Sequence, residues 1–198
     1  MKPYFDTHPA GVLLLIVLLV WLSMEAVQLM RQRRWRAGAA RAVMSRGFWI
    51  GFGACLIVTN LALYLGPAVF PSAAIRPGAA AFAAGMVIMV TGVIVRGWSF
   101  YRLGRYFTAV IKVSPDQPVI TSGPYRLLRH PSYTGGLLAE VGIAAAAANW
   151  VSAAVFAIAW VAIIAWRIHI EETALLSALG DRYRSYASHH KRLMPLIW

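Results

Sequence analysis

The chain has 198 residues, of which 60% are hydrophobic and only 13% are charged. Soluble domains carry about a quarter charged residues, so this composition excludes a water-soluble globular fold. The net charge of +12 is compatible with nucleic-acid binding, but the basic residues stand in blocks between apolar runs, as in the cytoplasmic loops of membrane proteins. We therefore expect no nucleic-acid partner.

Four long apolar stretches predict the membrane helices. The first three, at about 9–30, 47–70 and 77–95, each have the length of a single helix. The fourth, at 135–170, is too long for one crossing, because about 20 helical residues span a bilayer core. Asn149 near its middle offers a turn, so we predict a tight helix–turn–helix hairpin with arms of about 15–20 residues. The predicted fold class is an all-α membrane protein with about five membrane helices.

The distribution of arginine and lysine predicts the orientation in the membrane. Basic blocks follow the first helix, the third helix and the last helix, whereas the loop after the second helix carries only Arg76. These blocks share one side if the N-terminus is outside and the C-terminus is in the cytoplasm. The first apolar run is longer than a signal peptide and has no small-residue cleavage site after it, so we expect a retained anchor in a multi-pass protein.

Several residues inside the apolar runs are predicted to serve packing. Small residues stand where helices would approach closely, since close backbone approach stabilises helix pairs in lipid: Gly47 and Gly51 at GxxxG spacing, Gly85 and Gly92, and the run Ala144 to Ala148. The single cysteine, Cys55, is expected to be a buried apolar residue, and we predict no metal site because the sequence has no cysteine cluster. Glu25 and Glu140 also lie in apolar runs, where each could line a cavity or pair with an arginine.

A polar segment precedes the hairpin. Its prolines and glycines predict a loop, and Pro131 predicts that the next helix begins there with His130 at the cap. A helix start suits an anion, and Arg129 and His130 add cationic donors. Tyr125 and Tyr133 add aromatic faces, which attract cations. Such a site could hold a small ligand with both a carboxylate and a cation; the alternative is that these side chains are anchors at the membrane interface.

A second polar segment follows the hairpin, from Arg167 to Tyr186. Arg167 and Glu171 are four residues apart and share one helical face, whereas Glu172 lies about 100° around the helix. The alternatives are an ordinary ion pair at an exposed helix end and a functional site. The position after a long apolar helix favours the functional site, because ionisable residues near the membrane interior are costly.

Three motifs connect these segments to a known family. They are TSGPYRLLRHPSYTGG, a glutamate pair followed by LGDRYRSY, and the final KRLMPLIW. In content and order they resemble the isoprenylcysteine carboxyl methyltransferase family, and more broadly the small membrane methyltransferases that include phospholipid methyltransferases. The resemblance implies transfer of a methyl group from S-adenosylmethionine, bound from the cytoplasm without a Rossmann domain, to a lipophilic acceptor that is most simply a prenylcysteine-like carboxylate.

The resemblance covers about Trp98 to Trp198, half of the chain, and we predict that the whole sequence forms one integral-membrane domain, 1–198. Residues 1–97 would supply membrane helices 1–3. Residues 98–198 would supply the cofactor-binding loop, the helical hairpin and a C-terminal cytoplasmic helix.

The resemblance also implies individual site residues. The donor would be held by Lys112, Gln117, Pro118, Val119, Ile120, Tyr125, His130, Pro131, Ser132, Tyr133 and Glu171. Arg129 joins this set by its own chemistry, as a cationic partner for the donor's carboxylate. Arg167 would match the family's arginine that holds the acceptor's carboxylate, which is already ionised near neutral pH and needs no general base. A thiol or amine acceptor would need a base, for which Glu172 is a weak candidate.

Other functions are weighed against this one. A phospholipid amine or a small thiol stays open as the acceptor. Membrane sterol reductases have a related-looking C-terminal half and use a nicotinamide cofactor, but the sequence has no dinucleotide-binding fingerprint. A non-enzymatic accessory protein would tolerate substitution of RHPSY and of the charged pair. We expect membrane lipids and a lipophilic molecule as partners, and no obligatory protein partner.

Overall fold

The computed structural model describes residues 8–34, 44–76, 78–107, 111 and 113–194, and six α-helices lie within them. They are α1 (His8–Arg34), α2 (Arg46–Val69), α3 (Gly78–Leu103), α4 (Pro131–Ala146), α5 (Trp150–Leu179) and α6 (Asp181–His189). Short 3-10 helices occur at Pro71–Ala73, Gly104–Tyr106 and Gly123–Arg126. The predicted all-α membrane fold is confirmed.

Four helices in the described ranges, α1, α2, α3 and α5, are long and apolar enough to cross a bilayer. The chain is therefore an integral multi-pass membrane protein. The remaining one of the five predicted membrane helices is α4. It has 16 residues and falls short of the roughly 20 that a full crossing needs. Many large apolar side chains on the long helices are exposed, for example Leu13, Ile57 and Val87, as expected of surfaces that face lipid.

The hairpin was predicted correctly in place but not in the length of its arms. The arms have 16 and 30 residues, where arms of similar length were expected. The longer arm continues past the end of the apolar run because no glycine or proline interrupts it before Gly180, which caps α5 with a φ of 55°. Helix α3 likewise runs beyond residue 95, through the helical Gly97, to Leu103, next to Gly104 with its positive φ.

The hairpin turn is held by Asn149, which is 1% exposed. Its side-chain oxygen accepts a hydrogen bond from the Ser152 N–H and so caps α5, at 3.1 Å. Its side-chain nitrogen donates to the Phe70 carbonyl at 3.0 Å, which ties the turn to the end of α2. The predicted turn at Asn149 is confirmed, and tertiary bonds hold it.

Helices α3 and α4 are in backbone-to-backbone contact. A Cβ atom on Gly92 would lie 2.4 Å from the Ala139 nitrogen, and one on Gly142 would lie 2.4 Å from the Met89 nitrogen. Gly85 makes the same kind of approach to Ala146, at 2.5 Å. The predicted packing role of Gly85 and Gly92 is confirmed, because only glycine permits this distance in lipid.

Helices α2 and α5 pack through large side chains instead. The Phe48 ring meets the Trp166 ring edge-on at 5.6 Å between centroids, and Phe52 meets Trp160 at 6.1 Å. Cys55 is buried in the same layer, as predicted. Phe48, Phe52 and Trp160 also line a cavity.

Candidate active site

The RHPSY motif forms the start of α4. Pro131 is the first helical residue and His130 is the cap, as predicted. The His130 carbonyl accepts the first helical hydrogen bonds, from the N–H groups of Tyr133 at 3.0 Å and Thr134 at 3.1 Å. His130, Pro131 and Ser132 are buried, so this helix start lies inside the protein.

The C-terminal end of the described chain holds this helix start in place. We call residues 190–194 the tail segment. Its backbone carbonyls accept hydrogen bonds from Arg129 N–H (2.8 Å) and His130 N–H (3.0 Å). Tyr186, in α6, donates its hydroxyl to the Tyr125 carbonyl at 2.7 Å and also lies 3.1 Å from the Leu128 carbonyl. Two regions about sixty residues apart thus share one set of hydrogen bonds.

Glu172 is the electrostatic centre of this junction and is only 7% exposed. Its Oε1 lies 2.8 Å from Arg129 Nη1 and 3.2 Å from His130 Nε2. Its Oε2 accepts from both Nε and Nη2 of Arg192, each at 2.9 Å. Because cationic donors or a histidine occupy both oxygens, Glu172 has the surroundings of a positioning residue rather than of a general base.

Tyr133 links the two polar segments. Its hydroxyl donates to the Glu171 carboxylate and accepts a hydrogen bond from Arg167 Nε at 2.6 Å. The Arg167 guanidinium also lies over the Tyr133 ring, 5.4 Å from its centroid. The His130 ring stacks on the same Tyr133 ring, with 5.5 Å between the two centroids. Arg167 and Glu171 share a helical face, as predicted, and the Tyr133 hydroxyl lies between them.

A cavity that we call the polar pocket opens beside this junction, with an empty volume of about 770 Å³ including its mouth. This is within the range of small-molecule sites. Predicted donor-site residues that line it are Gln117, Pro118, Val119, Ile120, Tyr125, Arg129, His130, Ser132, Tyr133 and Glu171. Pro131 is buried behind them, and Lys112 lies outside the described residues. Glu172 does not line the pocket.

The apolar wall of the polar pocket was missed from the sequence. Leu175 and Leu179 of α5 contribute to it, together with Phe107 and Ile111. A signal existed for the two leucines, since they continue the stripe of Glu171 at intervals of four residues. Burial raises the pKa of Tyr125 well above its ordinary value, so its ring in this pocket stays uncharged.

A second cavity, which we call the membrane cavity, lies among α1 to α5 and has an empty volume of about 1070 Å³ including its mouth. Aromatic and aliphatic side chains form most of it: Phe48, Trp49, Phe52, Phe107, Trp160, Ile163 and Ile164. Arg167 lines this cavity and is not among the residues that line the polar pocket. Tyr133 and Phe107 line both, so the two cavities meet at the Tyr133 side chain.

One wall of the membrane cavity carries an ion pair. Arg96 Nε lies 2.5 Å from Glu25 Oε1, and its Nη2 lies 3.1 Å from Oε2. Arg96 Nη1 donates to the Ser132 carbonyl at 2.9 Å, next to the start of α4. The sequence did not decide whether Glu25 and Glu140 line a cavity or pair with an arginine. In the structure Glu25 does both, and Glu140 lines the membrane cavity.

Comparison with known proteins agrees with the motifs. Residues 84–177 match the family model of the isoprenylcysteine carboxyl methyltransferase (ICMT) family. The chain is 36% identical over 115 residues to protein-S-isoprenylcysteine O-methyltransferase A of Arabidopsis thaliana, which covers 57% of this chain and 58% of that protein. The rat protein-S-isoprenylcysteine O-methyltransferase is 27% identical over 117 residues, covering 58% of this chain and 41% of the relative.

The fold agrees as well. The solved structure of a eukaryotic intramembrane Ras methyltransferase, ICMT, superposes with a TM-score of 0.59 at 24% identity, covering 78% of this chain and 55% of that one. The chain thus spans less than three fifths of the length of these relatives. The resemblance predicted from the three motifs is confirmed.

Proposed function

We propose that this chain is a membrane methyltransferase of the isoprenylcysteine carboxyl methyltransferase type, which moves a methyl group from S-adenosylmethionine to a lipophilic carboxylate. The observation that carries this proposal is the meeting of the two cavities at Tyr133, a polar one on one side and an apolar one on the other. The polar donor would bind in the polar pocket and the lipophilic acceptor in the membrane cavity, and their reacting groups would meet at the junction of the two cavities.

The polar pocket has partners for each part of the donor. Arg129 offers a cationic side chain whose Nε is buried and has no acceptor in the described part of the chain, which suits an anionic carboxylate. Glu171 offers a carboxylate to hydroxyl groups, and the uncharged Tyr125 ring offers a face to a cation. Bound there, S-adenosylmethionine supplies an electrophilic methyl group.

The acceptor would be held by Arg167 in the membrane cavity. The bond from Arg167 Nε to the Tyr133 hydroxyl fixes the guanidinium at the junction of the two cavities. A carboxylate is ionised near neutral pH, so the chain has only to orient it and exclude water. The occupied oxygens of Glu172 favour this acceptor over a thiol or an amine, which would need a base.

We place the polar pocket on the cytoplasmic side, with the N-terminus outside, because the basic blocks lie on that side in this orientation. The lipophilic acceptor would then enter sideways from the bilayer through the aromatic layer of α2 and α5. Neither step calls for a protein partner.

The test is titration calorimetry on the chain purified in detergent, with S-adenosylmethionine and NADPH in separate experiments. We expect binding of the first compound only. His130→Ala and Glu171→Ala should weaken that binding, while Arg167→Ala should keep it and lose turnover of an S-prenylated N-acylcysteine. Ile158→Ala, on the exposed face of α5, is the matched control. A folded chain that binds no S-adenosylmethionine would refute the proposal.

A further inference from the structure

The membrane cavity has polar groups deeper than Arg167 that the proposed reaction does not use, namely the Glu140 carboxyl and the Trp160 indole N–H. We call this depth of the cavity the second polar level. On α4, Tyr133, Gly136 and Glu140 follow one another at spacings of three and four residues, and all three line the cavity. They therefore form one stripe on the helix surface. Gly136 has no side chain, and the Arg96 side chain lies against it: a Cβ atom there would be 3.2 Å from Arg96 Nη1.

The distance between the two levels follows from helix geometry. Glu140 comes seven residues after Tyr133, which at 1.5 Å per residue places it about 10 Å further along the axis. In α5, Trp160 comes seven residues before Arg167, and both line the same cavity. Since α4 and α5 are the antiparallel arms of a hairpin and Arg167 is bonded to Tyr133, Glu140 and Trp160 lie at one depth.

These two groups lack hydrogen-bond partners within the described ranges. Glu140 makes no hydrogen bond or ion pair there; the Arg96 charge acts on it, but the Arg96 guanidinium is itself held by two bonds to Glu25. The Trp160 indole N–H is buried and has no acceptor in the same part of the chain. Buried polar groups are nearly always hydrogen-bonded, and a carboxyl at this depth is costly. An acceptor group and a donor group that line one cavity without hydrogen-bond partners indicate a ligand that supplies both bonds.

We infer that this level recognises a hydroxyl group within the lipophilic body of the acceptor, about 10 Å from the carboxylate that Arg167 holds. A hydroxyl donates one hydrogen bond and accepts others, so it can satisfy both Glu140 and Trp160. An unbroken hydrocarbon chain would leave both groups unsatisfied. The acceptor class is a hydroxylated lipophilic acid, an assignment that rests on the proposed function because it takes Arg167 as the carboxylate's partner.

The experiment compares two S-alkylated mercaptopropionic acids of equal length. One has a plain alkyl chain, and the other carries a hydroxyl about 10 Å from the carboxylate. Binding of each is measured by calorimetry on the full chain saturated with S-adenosylhomocysteine, and methyl transfer is then measured with labelled donor. We expect the hydroxylated acid to bind the wild type about tenfold more tightly than the plain one.

Variants identify the groups responsible. Glu140→Leu should abolish the preference, and Glu140→Gln should keep part of it, because an amide oxygen still accepts a hydrogen bond. Thr91→Val removes a polar side chain from the exposed face of α3 and should leave the preference unchanged.

Two results would overturn the inference in distinguishable ways. Equal binding of the two acids by the wild type, or an unchanged preference in Glu140→Leu, removes the hydroxyl site and leaves methyl transfer intact. If neither acid binds while S-adenosylmethionine still does, the role of Arg167 in holding a carboxylate fails, and the hydroxyl site fails with it.

Discussion

The polar pocket and the membrane cavity share Tyr133 and Phe107 but are built by opposite means. Directed hydrogen bonds among the segment before α4, the end of α5 and the tail segment hold the polar pocket. The membrane cavity is walled by aromatic and aliphatic side chains, whose contacts are many and weak. The difference indicates which substitutions should affect each site. Binding in the polar pocket should depend on single polar atoms, whereas binding in the membrane cavity should depend on its shape and volume.

The largest effect on both cavities is expected from a substitution that separates α3 from α4, since residues of both helices line each cavity. Gly142→Val places side-chain atoms 2.4–2.6 Å from the α3 backbone, which cannot move away without separating α3 from α4. We expect a destabilisation of more than about 3 kcal/mol and loss of both donor and acceptor binding. Thermal unfolding in detergent and yield of folded protein measure this. Gly53→Ala, where a Cβ would meet nothing within 4 Å, is the control and should be neutral; a stable Gly142→Val protein would contradict the α3–α4 packing.

The polar pocket alone should fail when its central charge is removed. Glu172→Gln keeps the shape but removes the negative charge that Arg129 and the partly exposed Arg192 contact, at a cost of about 2–3 kcal/mol. We expect the affinity for S-adenosylmethionine to fall by more than about tenfold, because the His130 and Arg129 positions loosen. Calorimetry measures the loss. Asp181→Asn breaks an exposed ion pair and should have little effect; equal affinities in the two variants would contradict a positioning role for Glu172.

Acceptor turnover, but not donor binding, should depend on the shape of the Arg167 guanidinium in the membrane cavity. Arg167→Lys keeps the charge but loses the forked guanidinium and its bond to the Tyr133 hydroxyl. We expect kcat/KM for a lipophilic carboxylate to fall by about tenfold, with the donor affinity unchanged within about twofold. Methyl transfer with labelled donor and donor calorimetry test the two halves of this statement. A larger effect on the donor than on the acceptor would show that the two cavities are not separate sites.

The smallest effect is expected from one hydrogen-bond donor at the edge of the polar pocket. Tyr186→Phe removes the hydroxyl that serves the Tyr125 and Leu128 carbonyls, at about 1 kcal/mol. Donor affinity should fall severalfold. Burial raises the pKa of Tyr186 above its ordinary value, so the hydroxyl keeps its proton and the wild-type affinity should not decline near pH 10 on its account. A titration of donor binding between about pH 7 and 10 checks this.

Much of the fold could be predicted from local signals. The lengths of the apolar runs indicated the membrane helices, Asn149 indicated the turn, and Pro131 indicated the start of α4 with His130 as its cap. The ends of α3 and α5 were placed too early, because polarity was used as the stop signal. The helices end instead where Gly104 and Gly180 adopt a positive φ.

The donor site could be predicted only in part. Most of its polar residues lie in two short motifs, so the motifs named them, and the structure brings ten of the named residues to one pocket. Its apolar wall could not be named, since Phe107, Ile111 and Leu175 lie in separate segments and resemble any other apolar residues of a membrane protein. Glu172 was read as a possible base because the sequence does not reveal that Arg129 and Arg192 converge on it.

The sequence by itself determined what is local: helices long enough for the bilayer, the breaks between them, and the chemical types of the residues at the two polar segments. Only the tertiary structure decided which of those groups are partners. Tyr133 reaches Arg167 and Glu171 across the hairpin, and the tail segment returns to bond residues 129 and 130. The physical reason is that hydrogen bonds and ion pairs depend on distances of about 3 Å, which residue order along the chain does not specify.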